Sequence, residues 1–124
     1  MDAIGRKRWA IAEGYIPGTS TGEGPAFESH ETCCILNASE RKAHISITLY
    51  FEDREPAGPY RVQVDARRTR HLRFNELRDP EPVPRDTPYA SVIESDVEIV
   101  VQHTRLDSRQ AENALMTTIA FAAD

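Results

Sequence analysis

Cysteine, aromatic residues and long apolar runs are all scarce in this 124-residue chain. Its only cysteines are neighbours, Cys33 and Cys34. Adjacent strand residues point to opposite faces, so a disulfide between them would need strained local geometry. Two free thiols fit a reducing compartment, one as a small core residue and the other on the opposite face. Aromatic residues make up 7% of the chain, with one tryptophan, and mean hydropathy is -0.53, which together limit the core to a modest one. No apolar run approaches the roughly 20 residues of a membrane-spanning helix. After Arg6, Lys7 and Arg8, the stretch Trp9-Ala10-Ile11-Ala12 is cut short by Glu13 and Gly14. That is too short for a signal-peptide core, and the expectation is a soluble, cytoplasmic protein.

One domain is expected over residues 1–124, burying roughly two-thirds of its extended-chain surface. A net charge of -5 disfavours broad attraction to phosphate backbones. Positive charge is nevertheless concentrated: Arg61, Arg67, Arg68, Arg70 and Arg73 crowd one central segment, with Arg78 and Arg85 beyond. DNA binding through that cluster is the least favoured of the binding readings, and it stays open.

Most segments alternate with period two, which is the strand signature. From Ala43 to Phe51, Ile45, Ile47, Leu49 and Phe51 share one face, while His44, Ser46, Thr48 and Tyr50 line the other. Leu72 and Phe74 point inward in the next clear run, with His71 and Arg73 outward. Thr32 to Leu36 and the Val62–Val64 pair suggest further strands. Val97 to Gln102 is apolar on both faces at Val100, so it should be central or covered by a partner. Breakers separate these runs: the glycine and proline loop from Pro17 to Pro25, the turn Glu55-Pro56-Ala57-Gly58-Pro59, and the proline-rich stretch from Asp79 to Pro88, extended and solvated. Asn75-Glu76-Leu77 has room for one helical turn. The expected fold is all-β, a single antiparallel β-sandwich. Residues 111–122 fit either a strand or a short helix capped by Asp107 or Ser108; Thr117-Thr118-Ile119 favours a strand returning into the sandwich.

Catalysis finds little support. No Gly-x-Ser-x-Gly elbow is present, and His103, Asp107 and Ser108 share only the residue types of a triad, whose members are assembled by the fold. Glycoside chemistry would need two facing carboxylates, for which Glu13 and Glu31 are the candidates. Gly18, Gly22 and Gly24 precede a strand rather than a helix, unlike a phosphate loop. His30, His44, His71 and His103 lack the close spacing that presets a metal site. No cofactor is expected.

Binding is better supported. Trp9, Ile11, Glu13 and Tyr15 would share one strand face, where an aromatic platform beside a carboxylate can stack on a sugar ring and accept its hydroxyl protons. Trp9 as core residue is the competing reading. His71, Arg73 and Asn75 offer donors suited to carboxylates, phosphates or a partner protein. Gln102, His103, Arg105, Asp107, Arg109 and Gln110 lie in a dense polar cassette after an apolar strand, and with Val100 they are the candidates for an interface. That composition suits subunit contact, with Arg105 and Asp107 ion-paired across the interface.

Several longer motifs carry a family resemblance: Trp9 to Pro17, Ser29-His30-Glu31-Thr32, Ile35-Leu36-Asn37, Glu55 to Arg61, Ala66 to His71, Arg73-Phe74-Asn75, Asp79-Pro80, Ala90 to Ile93, and Val97 to Asn113. Over nearly its whole length the chain resembles the sensory rhodopsin transducer family. The resemblance implies a jelly-roll-like sandwich related to carbohydrate-binding modules, a homotetramer, and a non-enzymatic signalling role on the cytoplasmic side of a rhodopsin-like photoreceptor. Trp9-Ala10-Ile11-Ala12-Glu13-Gly14 and Ser95 to Val101 are also similar to sandwich modules of bacterial surface proteins. A light-independent module for a sugar-like or anionic ligand is the alternative reading.

Overall fold

The computed structural model describes residues 3–22 and 24–123; Glu23, within the expected glycine and proline loop, lies outside the described residues. Among the described residues eight strands form: β1 (Arg6–Gly14), β2 (His30–Asn37), β3 (Ala43–Phe51), β4 (Ala57–Val64), β5 (Arg68–Arg73), β6 (Tyr89–Asp107), β7 (Ala114–Ile119) and β8 (Phe121–Ala122). Every pairing is antiparallel. No helix among the described residues is long and apolar enough to cross a membrane. The all-β expectation holds.

One strand organises the whole. The first half of β6 lies between β3 and β1, in the order β4-β3-β6-β1-β8. Its second half lies between β2 and β7, with β5 beyond β2. The expected central strand at Val97 to Gln102 is therefore the middle of a 19-residue strand common to both sheets. Alternation explains its length: Ile93, Val97, Ile99, Val101 and His103 are buried, while the residues between them are at least partly exposed. The core between the sheets is filled by Ile45, Ile47 and Leu49 of β3, Cys33 and Ile35 of β2, Tyr60, Val62 and Val64 of β4, and Leu72 and Phe74.

Three local expectations need correction. The turn at 55–59 is shorter than expected, because Ala57 already begins β4. Gly58 makes this possible: its φ of 133° suits glycine, and a Cβ there would lie 2.8 Å from the Ile47 carbonyl oxygen. The helical turn falls at Phe74–Glu76, closed by the Leu77 amide on the Phe74 carbonyl, and a second 3-10 turn occupies Pro25–Phe27. The C-terminal segment is strand rather than helix, yet it does not return into the core. All of β7 is exposed, and it extends the β6 edge instead. Cys33 is buried and Cys34 half-buried on the outer face, as the alternation requires.

Candidate functional site

A carboxylate lies where the sandwich should be apolar. Glu31 shares the inward parity of Cys33 and Ile35 on β2, and its side chain is fully buried. Burying a charge is costly unless it is paired and hydrogen-bonded. Glu31 is both. Oε2 lies 2.5 Å from His103 Nε2, and Oε1 accepts from Arg105 Nε at 2.9 Å, Arg105 Nη2 at 2.6 Å and the Tyr15 amide at 2.6 Å. A carboxylate oxygen and an imidazole nitrogen face each other at this distance only with a proton between them, so the contact is a hydrogen bond. Antiparallel register delivers these partners: Glu31 pairs directly with Arg105, and Cys33 with His103. Asn75 closes the arrangement from the 3-10 turn, accepting from the Glu31 amide at 3.3 Å and donating to the Ser29 carbonyl at 3.0 Å.

Arg105 carries the buried cluster to the surface. Its Nη2 also lies 3.3 Å from Glu13 Oε2. Burial works against its positive charge, but hydrogen bonds and attraction from Glu31 and Glu13 outweigh it, so its pKa is held above the ordinary arginine value. Outside Arg105, Asp107 and Arg109 pair within one segment, with Nη2 to Oδ2 at 2.7 Å, and this hydrogen-bonded guanidinium holds the Asp107 carboxyl below the usual range. Arg109 also sits over the Tyr15 ring, 5.8 Å from its centroid. Between these groups opens a cleft of about 370 Å³, lined by Glu13, Tyr15, Pro17, Pro88, Arg105, Asp107 and Arg109. Both positive and negative groups line it, so it offers donors and acceptors to a polar ligand.

The expected site residues are thus redistributed. Glu13 and Tyr15 come together, with Arg105 and Asp107 from the cassette beside them. Trp9 does not join them: it is 5% exposed, and its indole nitrogen donates to the Arg6 and Ile99 carbonyls. A bulge between Ile11 and Gly14 breaks the alternation that would have kept Trp9, Ile11, Glu13 and Tyr15 on one face. His71 and Arg73 lie on β5, away from the cleft, with His71 opposite Cys34 and Arg73 donating to the Pro25 carbonyl. Arg70 donates to the Gln63 carbonyl. Within the chain Arg105 pairs with Glu31 and Glu13, and Asp107 with Arg109, while Gln102 and the exposed Arg109 and Gln110 point outward and Val100 is half-buried. Among the described residues, no three His, Cys, Asp or Glu side chains are grouped to hold a metal ion.

Sequence reasoning missed Glu31 as the hub, and Asn37 as a second one. Asn37 is fully buried; its amide donates to the Arg41, Val64 and Asp65 carbonyls, tying β2 to the ends of β3 and β4. Parity was the available signal for Glu31, since an acid in phase with Cys33 and Ile35 must point inward.

No curated protein matches the chain. The solved structure of the Anabaena sensory rhodopsin transducer is similar at 57% identity, covering 84% of this chain and 100% of its own, with a TM-score of 0.73. The crystal structure of Thermotoga maritima 1070 is similar at 36% identity over 95% of both chains, with a TM-score of 0.83. The profile described as Anabaena sensory rhodopsin transducer matches residues 4–122, and the chain belongs to that family.

Proposed function

We propose that this protein is a non-enzymatic, oligomeric signalling protein that receives its signal from a rhodopsin-like membrane photoreceptor on the cytoplasmic side. The observation that carries this reading is the 57% identity to the Anabaena transducer across the whole of that solved chain. The acidic character of the chain supports it, since the cytoplasmic loops of membrane proteins carry an excess of Lys and Arg. Homotetramerisation belongs to the same proposal. The outer side of β2, β6 and β7, where exposed Leu36, Leu115 and Ile119 flank Gln102 and half-buried Val100, is the face we assign to contact between copies. Co-purification of the full chain with a detergent-solubilised retinal protein tests the partner, and a stable complex is expected. Two independent elution peaks with no complex would remove it. Sedimentation tests the assembly, with a compact monomer overturning that part.

A second reading is favoured by the cleft. Its 370 Å³ suits a small sugar-like or anionic ligand held by Glu13, Tyr15, Arg105, Asp107 and Arg109, without any dependence on light. A thermal-shift screen against sugars and organic acids should raise the melting point with ligand concentration, and Tyr15→Ala should abolish the rise. A flat response across the panel removes this reading.

A further inference from the structure

We propose that the outer face of β3, β6 and β1 docks a basic polypeptide segment, taking an arginine or lysine side chain into a recess between Glu13 and Glu52. This surface serves the transducer function inferred above and depends on it. The outward residues of three neighbouring strands make a smooth floor: Thr48 lies opposite Val92, Val92 opposite Ala10, and Tyr50 opposite Ala90. Large apolar groups stand at its margins, with Tyr50 45% exposed and Phe121, which pairs with Ala10, 70% exposed. Contiguous exposed apolar surface of this kind marks interaction sites.

Beside Tyr50 the floor drops into a recess of about 270 Å³, whose lining includes Ala12, Glu13, Tyr50, Glu52 and Ala90. Glu13 and Glu52 are the only charged groups in that lining. Among the described residues Glu52 makes no ion pair, and the Glu13 side chain is 65% exposed beyond its contact with Arg105. A cation on an apolar stem satisfies every part of this surface. The stem packs on Ala12, Ala90 and the tyrosine ring, and the charged head reaches the two carboxylates. Aromatic rings attract cations through their faces, and the adjoining Phe51 already holds the Arg54 guanidinium 5.1 Å from its centroid.

Charge selects among occupants. An anion would meet two carboxylates, and a second copy of this chain, also carrying -5, would bring the same acidic recess against itself in a two-fold contact. Tyr50 on β3 and Phe121 on β8 stand three strand spacings apart, about 14 Å, which is longer than one side chain fills and favours a polypeptide over a small cation. Water-exposed cytoplasmic loops of membrane proteins have this chemistry.

The test is an NMR amide-shift titration of the full chain with a short peptide alternating arginine and leucine, and with a counterpart carrying glutamate for arginine. Shifts are expected at Ala12, Glu13, Tyr50, Glu52 and Ala90 with the basic peptide alone, weakening as salt is raised. Tyr50→Ala and Glu52→Gln, both at exposed positions, should each weaken binding by about threefold to tenfold with unchanged melting points. Shifts confined to the Arg105 cleft, equal binding of the acidic peptide, or a changed sedimenting mass in Tyr50→Ala would overturn the proposal. The photoreceptor separates the two ideas. If the unaltered chain forms the complex and a chain carrying both Tyr50→Ala and Glu52→Gln binds it equally well, the docking surface is wrong and the transducer role stands. If the unaltered chain forms no complex, the transducer role falls.

Discussion

Both nitrogens that Arg105 directs at Glu31 converge on a single oxygen, Oε1, at 2.9 and 2.6 Å, because Oε2 is taken by His103. The usual side-by-side fork of arginine on carboxylate gives way to a branched arrangement that also gathers the Tyr15 amide. One buried acid thereby ties β2, β6 and the segment after β1 together.

Removing that acid strands its partners. Glu31→Ala leaves His103, 2% exposed, and Arg105 without their shared acceptor. Loss of one member of a buried ion pair costs about 3–5 kcal/mol. Urea unfolding should show a drop of that size. A loss below about 1 kcal/mol would mean that the cluster contributes little to folding.

Acid should weaken the fold through its surface carboxylates. The Asp96 carboxyl lies below its ordinary value because it accepts from the His44 backbone amide and then from its ring. Asp107 and Glu28 are also lowered, chiefly by hydrogen bonds from the Arg109 and Arg85 side chains. A lowered folded-state pKa means that the unfolded chain binds the proton more readily. The stabilisation is therefore complete above the ordinary carboxylate range, about 4, and is lost as pH falls through the folded values. Denaturant midpoints measured against pH should fall on the acid side, and Asp96→Asn should show a shallower fall.

The paired thiols should react unequally. Burial, and then the neighbouring Cys34, push the Cys33 thiol up to about 12, which starves it of thiolate. Iodoacetamide applied to the native protein should give one adduct by mass spectrometry, on Cys34. Modification of Cys33 at a comparable rate would contradict the buried placement.

Two glycines should respond differently to alanine. At Gly5, with φ of 107°, a Cβ would come 1.9 Å from the Ile99 carbonyl oxygen, so backbone must move. At Gly24, with φ of 82°, nothing lies within 4 Å and only conformational strain remains. Gly24→Ala should cost about 1 kcal/mol and Gly5→Ala distinctly more, as read from thermal melts.

Much of the fold was legible because period-two patterning is a direct consequence of strand geometry. The faces of β3, the inward Leu72 and Phe74, and the opposed orientations of Cys33 and Cys34 followed from counting alone. The bulge before Gly14 was not legible, since an extra residue leaves no mark in an apolar pattern. It moved Tyr15 toward Arg105 and left Trp9 inside. The cluster at Glu31 was half legible: Ile99, Val101, His103 and Arg105 share an inward phase, as do Glu31, Cys33 and Ile35. What the pattern could not supply was the register that sets Glu31 opposite Arg105. The exposure of β7 was hidden for a similar reason, as an edge strand and a returning strand read alike.

Because β6 is a member of both sheets, neither layer can come apart while the other stays whole. Sliding it by one residue would turn Ile93, Ile99 and Val101 outward at a stroke. Ala90 and Arg105 lie on the same continuous strand, so a displacement at one end of β6 acts on the backbone that holds the other.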